Sequence, residues 1–341
     1  MLHRRLPIAT AARAPARTER GPNDDTGRER GWETIDVRTA DGWSLRTDIG
    51  EPGGVPVGTA VLAHALMARR IEFDRPRGQG LAHLLLESGW RVVTFDFRGH
   101  GDSAPPGRRG AASAYDDLVF ADLPAVFSFA VTYGAPARPA VLVGHSLGGH
   151  VGLAAQGAGL VDFDAFVTVA SDVWLRELEP SAARWLVKRA TLRAARAICD
   201  RVGRFPSRAL RLGSDDETAA LMGDFERYAR TGFWLSADGR TDYLASLARV
   251  RVPVLQIVSD GDRLQCPPEC GARFVARCGG PHEVLRVTGD GGAPPPTHMG
   301  LVLDHGSPYL RRVWDRVRDW MERARTGLRT GHERANEDGK S

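Results

Sequence analysis

The chain has 341 residues, of which 42% are hydrophobic and 26% charged, with a formal net charge of +4. That length suits one large α/β domain with an insertion, or two modest domains, around an ordinary apolar core. Residues 1–31 hold seven Arg against four acids, so the rest of the chain is nearly neutral and offers no basic face to nucleic acid.

In chain order, the Arg- and Ala-rich residues 1–31 lack an apolar signal core and read as a disordered tail. "WETIDVR" and "WSLRTDI" flank Asp41-Gly42 and predict a β-hairpin. "VGTAVLAH" reads as a buried strand, and "RPRGQGLAHLLLESG" as a helix ending at Gly89. "WRVVTFDF" is a strand and "SAYDDLVFADLPAVFSFAVTYG" a helix. "PAVLVGH", "LGGHVGLAAQGAG" and "AFVTVAS" continue as strand, helix and strand. Residues 172–250 break this rhythm. They show helical apolar spacing and no clear strand, as an inserted cap would. "VPVLQIVS", a helix over 268–278, "HEVLRVTG" and a helix over 307–324 complete the body, and 325–341 reads as a second tail. Strands alternating with helices predict a mostly parallel sheet covered on both faces. No run approaches the ~18–20 apolar residues of a membrane span.

Cys266, Cys270, Cys278 and His282 follow the spacing C-x3-C-x7-C-x3-H, which matches no common zinc pattern. With Cys270 and Cys278 two turns apart on one helix face, these thiols and Cys199 read as small buried side chains. A reduced, cytoplasmic protein without metal or other cofactor is expected.

The stretch "VLVGHSLGGH" carries the chemistry. It places Ser146 in G-x-S-x-G where a strand gives way to a helix. A nucleophile there needs a strained turn with little room beside it, which Gly144 and Gly148 supply. The helix N-terminus behind it offers free N–H groups to a developing oxyanion.

With that elbow, the chain resembles the α/β-hydrolase family over about residues 32–324. "DFRGHGDS", Asp96 to Ser103, is similar to the family's D-x-R-G-x-G-x-S turn, which makes His100 structural. The resemblance implies an α/β-hydrolase fold with a helical cap over 172–250 and the chain order Ser, acid, His. That order sets aside His145 and His150. Downstream, His298 is the first choice for the base and His305 the second; His282 begins a strand and His332 lies in the tail. The family's G-x-x-D, with Ser259 in the glycine's place, points to Asp262 as the acid, and Asp260 is the alternative. The oxyanion donors would be the backbone N–H groups of Leu147 and Leu66. His64 would brace the second donor's loop, in which Ala65 replaces the family's glycine. Met67, Trp174 and Phe233 are expected to line an apolar slot above Ser146.

The implied activity is hydrolysis of a carboxylic ester with an apolar acyl or alcohol part, through an acyl-enzyme on a small-molecule substrate. Thioesterase, acyltransferase and aminopeptidase-like amidase share the same machinery. A non-catalytic binding protein of this fold is the remote alternative, disfavoured because all three triad positions are filled.

Overall fold

The computed structural model describes residues 32–75, 78–103, 113–135, 137–290, 292–304 and 307–338, with side chains as far as 327. The strands are β1 (Trp32–Arg38), β2 (Ser44–Gly50), β3 (Thr59–Ala63), β4 (Arg91–Phe95), β5 (Ala140–His145), β6 (Ala165–Val169), β7 (Arg204–Phe205), β8 (Glu217–Thr218), β9 (Val254–Ser259) and β10 (His282–Val287). The α-helices are α1 (Leu81–Glu87), α2 (Tyr115–Asp117), α3 (Leu123–Thr132), α4 (Leu147–Ala158), α5 (Ala182–Val202), α6 (Ala219–Thr231), α7 (Tyr243–Ser246), α8 (Pro268–Val275), α9 (Gly300–Leu303) and α10 (Pro308–Asp338).

An eight-stranded sheet has the order β1-β2-β4-β3-β5-β6-β9-β10. The expected hairpin is there: β1 pairs antiparallel with β2 in a register that sets Val37 opposite Leu45, and Gly42 takes the left-handed turn at φ 86°. From β4 to β10 the pairings are parallel. The sequences of β3, β4 and β5 are nearly continuous apolar runs because both faces of the sheet are covered. Alternate residues serve alternate faces. Val61 and Leu142 pack with Val126, Val151 and Phe274 on one side. Leu62 and Val143 pack with Leu85, Trp314 and Trp320 on the other.

This strand order positions the site. β3 lies between β4 and β5, and the chain passes from β4 across β3 to reach β5. The loops leaving β3 and β5 therefore turn apart, opening a crevice at their carboxyl ends, where open α/β sheets bind ligands.

Between β6 and β9 the chain forms α5, α6, α7 and the β7–β8 pair. Those strands have two residues each, too few to leave a periodic signal. Trp185, Leu192, Cys199, Phe205 and Met222 form a small core of the insertion's own. Leu175, Leu178, Leu221, Tyr228, Trp234, Tyr243 and Leu247 join the body's core instead. Much of the 172–250 segment is thus continuous with the body.

Several boundaries differ from expectation: α1 begins at Leu81 rather than near residue 75, and the single helix expected over 113–134 is divided into α2 and α3. α8 stops at Val275, so Cys278 lies beyond it and does not share a helix face with Cys270. α10 continues to Asp338, where a tail was expected from 325. The extension holds three Arg and two Glu, which are strong helix formers, and two glycines alone do not stop it. The expectations for residues 1–31 and for His305 lie outside the described residues.

Candidate active site

Ser146 occupies the turn from β5 into α4 with φ 49° and ψ −109°. A non-glycine residue in such a conformation costs about 1–3 kcal/mol and persists only where the surroundings over-determine it. Here they do. The Ser146 N–H donates to Val169 O at the end of β6 at 2.8 Å. The flanking glycines permit close approach rather than the positive φ itself. A Cβ on Gly144 would lie 2.4 Å from Gly149 N, and one on Gly148 would lie 2.0 Å from Ala63 O. The elbow is thereby pressed against the end of β3, where Gly148 N–H donates to His64 O at 3.1 Å.

Asp262 follows β9, and His298 stands in the connection from β10 to α9. The two meet with His298 Nδ1 2.5 Å from Asp262 Oδ2. Asp262 is almost fully buried and accepts two further bonds, from Gln265 N–H at 2.9 Å and Cys266 N–H at 3.0 Å. Burial acts to raise its pKa, but the His298 bond and these N–H groups outweigh it and hold the carboxyl below its usual 3.8. Burial lowers the His298 imidazole below its usual 6.5 against the opposing pull of Asp262. With Nδ1–H directed at Asp262, the neutral ring keeps Nε2 as a free base.

His145 joins this pair to the elbow. Its ring centroid lies 5.1 Å from that of His298, and its Nε2 is 3.2 Å from His298 O. The residue next to Ser146 therefore seats the loop that carries His298. His150 is buried, bonded to the Tyr115 hydroxyl at 2.9 Å, and pushed down to a pKa of about 3 by burial alone. Asp260 turns outward to Arg286 at 2.7 Å, and His282 is exposed at the start of β10.

The loop leaving β3 faces the elbow. Phe97 N–H donates to His64 Nε2 at 3.0 Å, and His64 Nδ1 lies 2.8 Å from Ala65 O, which fixes the ring beneath the loop. Ala65 N–H donates to Glu72 Oε1 at 2.9 Å. Met67 N–H donates to Glu217 Oε2 at 3.3 Å. Between them, Leu66 N–H makes no hydrogen bond among the described residues, and neither does Leu147 N–H. Leu66 and Leu147 are the positions expected from the resemblance to supply the oxyanion donors. Glu72 and Glu217 carry no sequence signal. Neither stands in a catalytic motif, and Glu217 is 150 positions from the amide it holds.

Leu66, Met67 and Trp174 pack together with Phe225 against the insertion's core. The Trp174 indole donates to Gln265 O at 2.8 Å, and its face receives the Lys188 ammonium at 5.2 Å. Phe233 is placed differently from the expected slot. It is 62% exposed and lines an outer recess with Arg176, Glu177 and Arg277 whose lining includes none of Ser146, Asp262 and His298. The cause is Gly232, which ends α6 in the left-handed region at φ 79° and turns Phe233 outward, while Trp234 takes the buried position.

A lowered pKa at His298 sets a sign for pH dependence. Protonation removes the free base, so kcat/KM is expected to be flat through neutral pH and to fall only below pH 6.5. The unfolded chain binds this proton more readily, so the contribution of His298 to stability likewise declines as pH falls below 6.5. A pH–rate profile with p-nitrophenyl acetate checks this; an acid limb centred above 6.5 contradicts it.

Among the described residues, no helix is long and apolar enough to cross a membrane. No group of three His, Cys, Asp or Glu among them could hold a metal ion, and all four cysteines are buried and free.

The sequence matches the family described as serine aminopeptidase, S33, over residues 76–290, more than half of the chain. No curated protein matches it. Among solved structures, the fold is similar to the Pyrococcus furiosus esterase Pf2001, at 16% identity and a TM-score of 0.55, covering 85% of this chain and 91% of that one. It is also similar to Est1E from Butyrivibrio proteoclasticus with ferulic acid bound, at 16% identity and a TM-score of 0.57, covering 86% and 98%. The esterase domain of a Rhodothermus marinus protein matches at 19% identity and a TM-score of 0.53, again covering 86% and 98%. The strained serine elbow, the order of the strands and this match converge, and the chain belongs to the serine aminopeptidase S33 family of α/β-hydrolase enzymes.

Proposed function

We propose that the protein is a serine esterase that cleaves carboxylic esters with an apolar acyl or alcohol part. The observation that carries the reading is the 2.5 Å bond to a buried Asp262 from His298, on a loop seated against His145, the neighbour of a strained Ser146. In this reading His298 Nε2 takes the proton of Ser146 Oγ as that oxygen attacks the ester carbonyl. Asp262 holds the tautomer and stabilises the imidazolium. Leu66 N–H and Leu147 N–H donate to the oxyanion. His298 then protonates the departing alkoxide. Water, deprotonated by the same imidazole, attacks the acyl-enzyme and releases the acid and free Ser146.

The apolar contacts of Leu66, Met67 and Trp174 at the seam with the insertion support an apolar substrate part. Structures of this fold that carry the name esterase support the ester bond as the target. The buried acids nearby are engaged by the protein itself: Asp172 and Glu179 pair with Lys188, and Glu72 and Glu217 hold the β3 loop.

A panel of p-nitrophenyl esters of rising acyl length tests the proposal, together with a fluorophosphonate probe whose adduct is expected on Ser146. Trp174→Ala should move the preferred chain length while leaving acetate turnover within about 3-fold, because its indole contacts the slot and not the reacting atoms. An equal loss on every ester would remove the substrate assignment, and a probe adduct elsewhere would remove the nucleophile.

A further inference from the structure

We propose that the insertion builds the oxyanion hole: the segment Gly213–Glu217 grips Met67 on both sides of its backbone and so fixes the Leu66 N–H, with Glu217 as the positioning residue. The inference rests on the reading of Leu66 N–H as an oxyanion donor.

The grip has four parts. Ser214 N–H and Asp215 N–H both donate to Met67 O, at 2.9 and 3.1 Å. Glu217 Oε2 accepts the Met67 N–H at 3.3 Å. Gly213 lies so close that a Cβ on it would be 2.4 Å from Met67 O. Met67 itself has φ 61°, a conformation that a methionine does not hold without outside support. The bonds to the segment supply that support. Glu217 holds the Leu66–Met67 peptide and Glu72 the His64–Ala65 peptide, so the peptide between them, which carries the Leu66 N–H, has both of its neighbours fixed.

Glu217 is itself anchored in the body. Its Oε2 lies 3.0 Å from His100 Nε2, and both side chains are fully buried. On the other side of Leu66, Glu72 accepts the Ala65 N–H at 2.9 Å and sits 3.3 Å from His145 Nδ1. One carboxylate from the body and one from the insertion therefore take the amides on either side of Leu66, and each is backed by a buried histidine. An oxyanion donor is effective when it is already in place as charge develops, and a misplacement of about 1 Å can cost 10²-fold.

The test uses the full chain with p-nitrophenyl acetate and a trifluoromethyl ketone, whose hemiketal oxyanion occupies the hole. Glu217→Ala is expected to lower kcat about 10- to 100-fold with KM within about 3-fold, and to weaken ketone inhibition by the same factor as kcat/KM. Glu217→Gln keeps an acceptor for the Met67 N–H and should recover most of the loss. Gly213→Ala pushes Met67 sterically from a half-buried loop outside the core and should reproduce the kcat defect, so the idea remains testable if Glu217→Ala does not fold. Asp116→Asn loosens the insertion elsewhere, where Asp116 accepts the Tyr243 hydroxyl at 2.6 Å, and should lower Tm without changing kcat. The proposal is overturned if Gly213→Ala keeps the kcat and ketone affinity of the unaltered chain. It is also overturned if Gln is no better than Ala at 217, or if Asp116→Asn lowers kcat as much as Glu217→Ala. Absence of ester turnover, or of probe labelling at Ser146, in the unaltered chain would instead refute the esterase reading on which the proposal stands.

Discussion

Ester turnover by the Ser146→Ala chain is expected to fall by about 10⁴-fold or more, to the residue of catalysis that binding and the oxyanion donors supply alone. The fold should survive. Alanine keeps the Cβ that already sits at φ 49°, and Ser146 is held by backbone contacts, above all its N–H to Val169 O. Asp262→Asn should cost about as much, by a different route. An asparagine cannot at once accept from Gln265 N–H, Cys266 N–H and the His298 Nδ1–H, so it turns its amide toward the imidazole and favours the wrong tautomer. Steady-state kinetics with p-nitrophenyl acetate, read beside thermal melts, separates lost chemistry from lost folding. Retained turnover in Ser146→Ala with an unchanged melt would remove Ser146 as the nucleophile.

Gly148→Ala should show the largest effect on stability. In an unconstrained helix this change helps by roughly 0.5–1 kcal/mol. Here the new Cβ would stand 2.0 Å from Ala63 O and 2.7 Å from Ala63 Cβ. β3 is paired on both sides, to β4 and β5, and cannot retreat. Either α4 moves off the sheet, taking the elbow with it, or the chain fails to fold. A loss of about 3 kcal/mol or more is expected, at the upper end of overpacking costs, or a fall in Tm of about 4 °C or more for a chain of this size. Gly159→Ala provides the contrast. Gly159 caps the same helix at φ 76° with nothing within 4 Å, so alanine there meets only backbone strain of about 1–2 kcal/mol. Equal melts for the two variants would show that α4 does not press on β3 as closely as described.

The role of each glycine could not be assigned from the sequence in that detail. G-x-S-x-G between a strand run and a helix run announces an elbow because strand, turn and helix are written locally, in periodicity and glycine spacing. The same locality made the Asp41-Gly42 hairpin, the buried strands and the alternation of the sheet legible. His298 and Asp262 were reachable because each follows a recognisable strand and the family's chain order leaves few candidates. The structure brings those two within 2.5 Å of each other.

What only the tertiary structure decided are the contacts with no local period. Phe233 and Trp234 are adjacent aromatics in one motif, and the left-handed turn at Gly232 chose which one faces outward. The insertion could be seen as helical, but not that Leu221, Tyr228 and Tyr243 would complete the body's core. Glu72 and Glu217 look like solvated charges in the sequence. Folding buries both against amides on either side of Leu66, because a backbone donor withdrawn from water must find an acceptor, and the one that reaches it can come from anywhere in the chain. By itself the sequence determined the fold class and the elbow, since short-range sterics and hydrophobic pattern encode them, while Asp262 and His298 came from the resemblance and its chain order. The packing of the insertion determined which side chains surround that triad, because burial is a property of the whole chain and not of any one segment.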